Sequence, residues 1–249
     1  MVKLPDLTKD PTLTAAEEAA IEAASREEPR AYLGMSSLGD ECERRLWYKF
    51  HRPAPQRHPA KTLFAFADGH LSEDVIIARL RLVSGVTLLN IDPDTGKQFG
   101  LSDFDGKLKG HMDGVILGLL QAPSTWHVFE AKCTNEKSFA KLLKLKEEKG
   151  EKEALLAWNP VYWSQAQLYM GYADLTRHYT VICTPGARDW TSVRTEFNLE
   201  GFIRLKEKAR RIIEAPYPLA RISNDPAWYV CKWCDHHAQC HKNEGGSVA

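Results

Sequence analysis

Trp126-His127-Val128-Phe129-Glu130-Ala131-Lys132 is the stretch on which the fold turns. Its apolar start reads as a strand that ends in Glu130-Ala131-Lys132. In a strand, residues i and i+2 share a face, so Glu130 and Lys132 point one way while Phe129 and Ala131 point into packing on the other. Seventeen residues before Glu130, Gly110-His111-Met112-Asp113-Gly114 brings Asp113 onto the preceding strand. A short hairpin would set Asp113 beside Glu130. Two adjacent carboxylates repel unless a cation lies between them, and hard divalent cations such as Mg2+ prefer oxygen ligands. A lysine on the same face can orient or deprotonate water, or stabilise a negatively charged transition state. This combination suits metal-assisted phosphodiester hydrolysis. Glu-x-Lys alone is a common triplet, usually a solvated ion pair, so its neighbours decide its meaning.

Working outward, the spacing predicts a helix over Leu13–Arg26 and a second from Ser36 or Ser37, where Asp40 completes a capping box. Leu46, Trp47 and Phe50 supply its apolar face, and it must end before the extended loop His51-Arg52-Pro53-Ala54-Pro55. A third helix is expected over 61–83. The period then changes to strands at Val86–Asn90, Gly100–Ser102, Lys107–Ile116 and Trp126–Lys132, with a turn at Asp105-Gly106. Helices at Lys137–Trp158 and Val161–Ala173, strands at Tyr179–Cys183 and Ser192–Asn198, and a helix at Gly201–Ile213 complete the order. It predicts an α/β or α+β fold, a mixed central sheet flanked by helices. Residues 1–30 form a peripheral helical segment of net charge −3, and 31–249 a single domain of net charge +3.

The composition agrees. The 249 residues hold 33 basic and 33 acidic side chains, with 43% hydrophobic and 27% charged residues, which excludes a largely disordered chain. No apolar run is long enough to cross a membrane, and MVKLPDLTKD lacks a signal-peptide core, so the expected compartment is the cytoplasm. Neutral charge excludes a uniformly basic nucleic-acid binder but permits a local basic groove.

Gly110-x-x-Asp113, Glu130-x-Lys132 and Gln165-x3-Tyr169, in that order, resemble the PD-(D/E)XK nuclease superfamily in its RecB-like exonuclease branch. Tyr162, Gln165 and Tyr169 share one helical face, as in the helix that follows the catalytic hairpin there. The resemblance implies a metal-dependent DNA exonuclease. Asp113, Glu130, Glu73 and the Ala131 carbonyl would hold Mg2+ or Mn2+, Lys132 would position water, and Gln165 and Tyr169 would organise the phosphate. Two positions depart from the branch: Ser72 stands where a histidine precedes the upstream Glu, with His70 displaced by two residues, and Met112 replaces the namesake proline.

Cys42 and Cys231-x2-Cys234-x5-Cys240 resemble the iron–sulfur nucleases of this branch, such as the AddB nuclease domain and the RecB-like adaptation nucleases of CRISPR systems. The likeness implies a [4Fe–4S] cluster stapling a Cys-rich C-terminal tail to the start of the domain. Zinc is the rival occupant, because it accepts four sulfurs and His236, His237 and His241 stand nearby as alternatives, though they read as exposed tail residues. Cys133 and Cys183 read as ordinary buried thiols. Basic stretches at 137–152 and 204–211, with net charges of +3 and +4, are candidates for phosphate contacts. Arg44, Arg45, Trp47, Tyr48 and Tyr162 are candidates for contacting DNA. The expected partner is DNA that is single-stranded or has free ends, in recombination, repair or CRISPR-type adaptation. Partner proteins, a homo-oligomer and a phage origin, which would place the protein in the host cytoplasm, fit the same resemblance. The competing reading is a non-catalytic DNA-binding or assembly protein that keeps the fold.

Overall fold

A computed structural model describes residues 10–54 and 57–241. The first nine residues, Pro55 of the extended loop and the chain beyond His241 lie outside the described residues. The helices are α1 (Pro11–Ser25), α2 (Glu43–His51), α3 (Ala60–Leu80), α4 (Glu136–Lys149), α5 (Glu151–Trp158), α6 (Pro160–Ala173), α7 (Leu199–Glu214), α8 (Tyr229–Lys232) and α9 (His237–His241). The strands are β1 (Leu33–Gly34), β2 (Thr87–Leu89), β3 (Gly100–Asp103), β4 (Leu108–His111), β5 (Gly114–Leu117), β6 (His127–Cys133), β7 (Arg177–Cys183) and β8 (Trp190–Glu196).

The fold is mixed α+β, with helices on both faces of a five-stranded sheet ordered β2-β5-β6-β7-β8. β6 and β7 run parallel and the other pairs antiparallel. A smaller sheet, β1-β4-β3, pairs β1 and β4 in parallel. Alternation along β6 divides the core into two layers. Val128 joins the buried residues of α2, α5, α6 and α7 on one face. Phe129 joins Ile76, Ile77 and Leu80 of α3 on the other. Burying each such side chain contributes about 1.5–3 kcal/mol, so both faces of β6 are held firmly. Among the described residues no helix is long and apolar enough to cross a membrane.

Three expectations are corrected. Lys107–Ile116 is not one strand: β4 belongs to the smaller sheet and β5 to the larger, and the chain crosses between them at Met112-Asp113. Gly114 permits this crossing, because a Cβ there would lie 2.4 Å from the Leu89 carbonyl oxygen. The second helix starts at Glu43, capped by the Cys42 sulfur, and not at Ser36 or Ser37. The Ser37 hydroxyl is satisfied in a short 3-10 turn by the Gly34 carbonyl at 2.8 Å, and Asp40 is held by Arg45. Lys137–Trp158 is two helices, α4 and α5, broken at Gly150, whose φ of +79° lies in the left-handed region.

Candidate active site

The break between β4 and β5 builds the site. β5 pairs with β6 only as far as Gly114 opposite Phe129, so the β5 edge of β6 is open beyond that point. Asp113 occupies this opening, where its Oδ2 accepts the Ala131 N–H at 2.9 Å. A strand residue presents its N–H and C=O to the same edge, so the Ala131 carbonyl also faces the Asp113 side. Glu130 is 3% exposed. Its Oε1 accepts from Lys132 Nζ at 2.7 Å and from Gln165 Nε2 at 3.1 Å. Its Oε2 is buried and has no hydrogen-bond partner among the described residues.

Burial raises the proton affinity of Glu130 well above the ordinary range, and Asp113 adds to that rise while Lys132 opposes it. Glu73 on α3 is pushed up to about 7, first by burial and then by Asp113. Glu73 therefore shares the field of Asp113 and Lys132, and four of the expected residues come together. Burial alone would lower the Lys132 pKa, but the Glu130 and Asp113 carboxylates outweigh it and raise it. Lys132 is thus held as an ammonium, suited to orienting or stabilising charge and unsuited to taking a proton from water. Its Nζ also lies 5.5 Å from the centre of the Tyr162 ring, a cation–π contact.

Helix α6 delivers Gln165. Pro160 opens it and Asn159 caps it. Residues Ser164 to Met170 are all buried. Tyr169 is also buried, and burial followed by the Glu130 charge raises its pKa. Its ring lies where a Gly110 side chain would be, 2.6 Å from an added Cβ. The motif glycine is thus the space that admits Tyr169. Sequence reading missed Gln167, whose amide donates to the Glu196 carbonyl at 3.2 Å and accepts from Asn198 N–H at 2.7 Å. It pins α6 to the β8–α7 junction, and only its burial two residues after Gln165 sets it apart. His70 is exposed on α3.

The remaining sequence candidates lie elsewhere. Arg45 pairs with Asp40 through two 2.6 Å contacts, and Arg44 donates to the Leu219 carbonyl at 2.9 Å. Trp47 and Tyr48 are core residues at 3% and 2% exposure, so the expected stacking of bases on them is corrected. Four of the five basic residues in 204–211 are engaged internally: Lys206 with Asp103, Lys208 with the Asp40 carbonyl, Arg210 with Glu207 and Arg211 with Glu43. Arg44 and Arg45 line a second pocket together with Cys42, Cys231, Cys234 and Cys240. His236 also lines it, which corrects the expectation of an exposed tail residue; it is 8% exposed, stacks on Tyr48, and its Nε2 has no hydrogen-bond partner among the described residues. Cys133 and Cys183 face each other across β6 and β7, Cys183 buried and Cys133 half-buried.

Among the described residues, no three His, Cys, Asp or Glu side chains already stand in coordinating geometry. The donor chemistry nevertheless suits cations at both places. The first offers an orphaned buried carboxylate oxygen beside two further carboxylates. In the second, burial and then its three partner cysteines raise the Cys231 thiol pKa, which puts the four sulfurs within electrostatic reach of one another.

No family model and no curated protein matches the chain. Solved structures do. The crystal structure of SSO0001 is 16% identical, with a TM-score of 0.50 over 94% of this chain and 97% of that one. The alkaline exonuclease LHK-Exo of Laribacter hongkongensis is 15% identical, with a TM-score of 0.50 over 79% of this chain and 90% of that one. Its complex with dAMP is 14% identical over the same shares, again at 0.50. This chain shares their fold: a mixed sheet flanked by helices, in the arrangement of an alkaline exonuclease.

Proposed function

We propose that this protein is a metal-dependent deoxyribonuclease of the RecB-like PD-(D/E)XK type, acting as an exonuclease on DNA. The observation that carries this reading is the buried Glu130, held by Lys132 and Gln165 with its second oxygen unpartnered, beside Asp113 at the open edge of β6. The fold shared with an alkaline exonuclease supports it. Asp113, Glu130, Glu73 and the Ala131 carbonyl would hold Mg2+ or Mn2+, which supplies Lewis-acid stabilisation and an activated water. Lys132 neutralises charge that develops on the phosphate. Gln165 orients Glu130, and Tyr169 packs behind it. The Tyr162 ring faces the lysine ammonium. Hydrolysis adds water across one P–O bond, leaving one new phosphate terminus and one new hydroxyl.

The same reading assigns Cys42, Cys231, Cys234 and Cys240 to a [4Fe–4S] cluster, with zinc as the competing occupant. Arg44 and Arg45 offset the negative charge of four thiolates, and Arg221 ties its guanidinium to the Cys240 carbonyl. Burial raises the Cys231 and Cys234 thiols, so loading must release protons. The orphaned His236 nitrogen favours zinc to the extent that it offers a further donor. Metal analysis and absorbance near ~400 nm on anaerobically purified protein separate the two occupants.

The direct test is digestion of linear single- and double-stranded DNA with Mn2+ or EDTA, beside Glu130→Ala. Metal-dependent degradation lost in the variant is the expected result. A folded, metal-loaded protein that binds DNA without cutting it would support a non-catalytic binding protein instead.

A further inference from the structure

Three helical glycines invite comparison. Gly171 in α6 and Gly201 in α7 are explained by packing, because an added Cβ would lie 2.4 Å from the Phe202 ring and 2.7 Å from the Trp163 ring. Gly69 in α3 has no such reason: among the described residues, a Cβ there meets nothing within 4 Å. A glycine inside a helix is destabilising relative to alanine, so open space at that position is a cost without a packing return.

The helical period shows what the space adjoins. Phe66, Gly69, Glu73, Ile77 and Leu80 follow the i, i+3, i+4, i+7 rule and share one face of α3. Ile77 and Leu80 are buried against the sheet, and Glu73 reaches the field of Asp113 and Lys132. The same face then continues toward the N-terminus past the site, where Phe66 is 52% exposed. Seven residues of helix separate Phe66 from Glu73, a rise of about 10.5 Å. His58 meets the Phe66 ring edge-to-face at 5.3 Å between centroids, steadying one side of it. An exposed aromatic ring, a side-chain-free gap and a carboxylate at the candidate site thus stand in one line.

We propose that this line is a nucleobase subsite: a base of single-stranded DNA stacks on Phe66, and its backbone crosses Gly69 to reach the carboxylates at Glu73. This rests on the nuclease reading for the identity of the substrate. It explains the glycine, because any larger side chain would occupy the path of the backbone. It also explains why an aromatic residue stands exposed on the face that elsewhere packs the core. Stacking on a π-face is tolerant of sequence, so the subsite would position a strand without selecting its bases.

The test uses the full chain carrying Glu130→Gln, so that binding is read without cutting. Fluorescence anisotropy with a labelled single-stranded oligonucleotide and Mg2+ should show Phe66→Ala weakening affinity by about ten- to a hundredfold. Phe66→Trp should restore it, with indole fluorescence quenched on binding. Gly69→Leu should weaken binding while raising the melting temperature, since it improves helix propensity; that excludes misfolding as the cause. In the Glu130 background protein, the ratio of DNA cleavage to hydrolysis of a small nitrophenyl phosphodiester should fall with Phe66→Ala by a similar factor. Unchanged oligonucleotide affinity in both Phe66→Ala and Gly69→Leu would overturn the subsite. So would light scattering that shows either variant dissociating a dimer, because the face would then be a contact between copies. Phe66-dependent binding by a protein that never cuts DNA would sink the nuclease reading and leave the subsite standing.

Discussion

Two places in this molecule are lined with metal-binding chemistry, and they are built differently. The oxygen-lined site draws Glu130 and Lys132 from β6 and Asp113 from the crossing between β4 and β5, with Gln165 added from α6, 35 residues after Glu130. The sulfur-lined pocket joins Cys42 to a cysteine cluster that begins at Cys231, 189 residues later. The first is held by buried neighbours, with Glu130, Gln165 and Tyr169 at 3%, 4% and 2% exposure. The second is held by contacts from α7 to the start of α2, such as Arg211 with Glu43 at 2.7 Å, and by Arg221, which donates to the Cys240 carbonyl. A metal at the first site would serve chemistry, and one at the second would close a long loop and add its binding free energy to stability.

That contrast can be broken in order of expected effect. Glu130→Gln and Lys132→Ala should each lower DNA hydrolysis by about a thousandfold or more, with little change in melting temperature. A Lys132→Ala protein that cuts at the parent rate would remove the lysine from the site. Cys42→Ser should do the reverse: lose the bound metal in elemental analysis and lower the melting temperature by about 10 °C, while any protein that stays folded still cuts DNA. If the serine variant kept both metal and stability, the two places would not be distinguished by role.

Smaller effects sharpen the first site. Gly110→Ala forces a Cβ to within 2.6 Å of the Tyr169 ring and 2.8 Å of the Met35 sulfur. It should cost about 1–3 kcal/mol in chemical denaturation and lower activity by displacing Tyr169. A neutral outcome would mean that the ring shifts freely. The smallest effect concerns His178, which lies on β7 beside β6 and is held neutral, its pKa driven down to about 3 by burial and then by Lys132. The unfolded chain protonates this group near ~6.5. Its stabilising contribution is therefore complete above that pH and is lost as pH falls toward 3, at up to about 1.4 kcal/mol per unit. His178→Gln should flatten the acid limb of a stability profile between those values, and an unchanged slope would place the loss on other groups.

Much of the site was legible because its members are local. Glu130 and Lys132 are two apart on one strand, and Gln165 and Tyr169 are four apart on one helix, so period alone puts each pair on a face. The glycine at 110 was legible as part of a motif, but its reason, the ring of Tyr169, was not. The internal partners of Arg44 and Arg45 were not legible, because charge along a chain does not reveal its partner. Asp40 and the Leu219 carbonyl claim these groups. Gln167 and His236 were invisible for the same reason, since nothing local distinguishes a buried polar side chain from an exposed one.

The sequence by itself determined the strand and helix periods, the carboxylate and lysine on one face, and the four cysteines as a set. Only the tertiary structure decided that one expected strand divides between two sheets, which opens the edge of β6 where Asp113 sits. It alone left Phe66 exposed and Gly69 with open space above it among the described residues. The physical reason is range: backbone period and local sterics act over a few residues, whereas burial, desolvation and charge pairing depend on what the rest of the chain brings alongside.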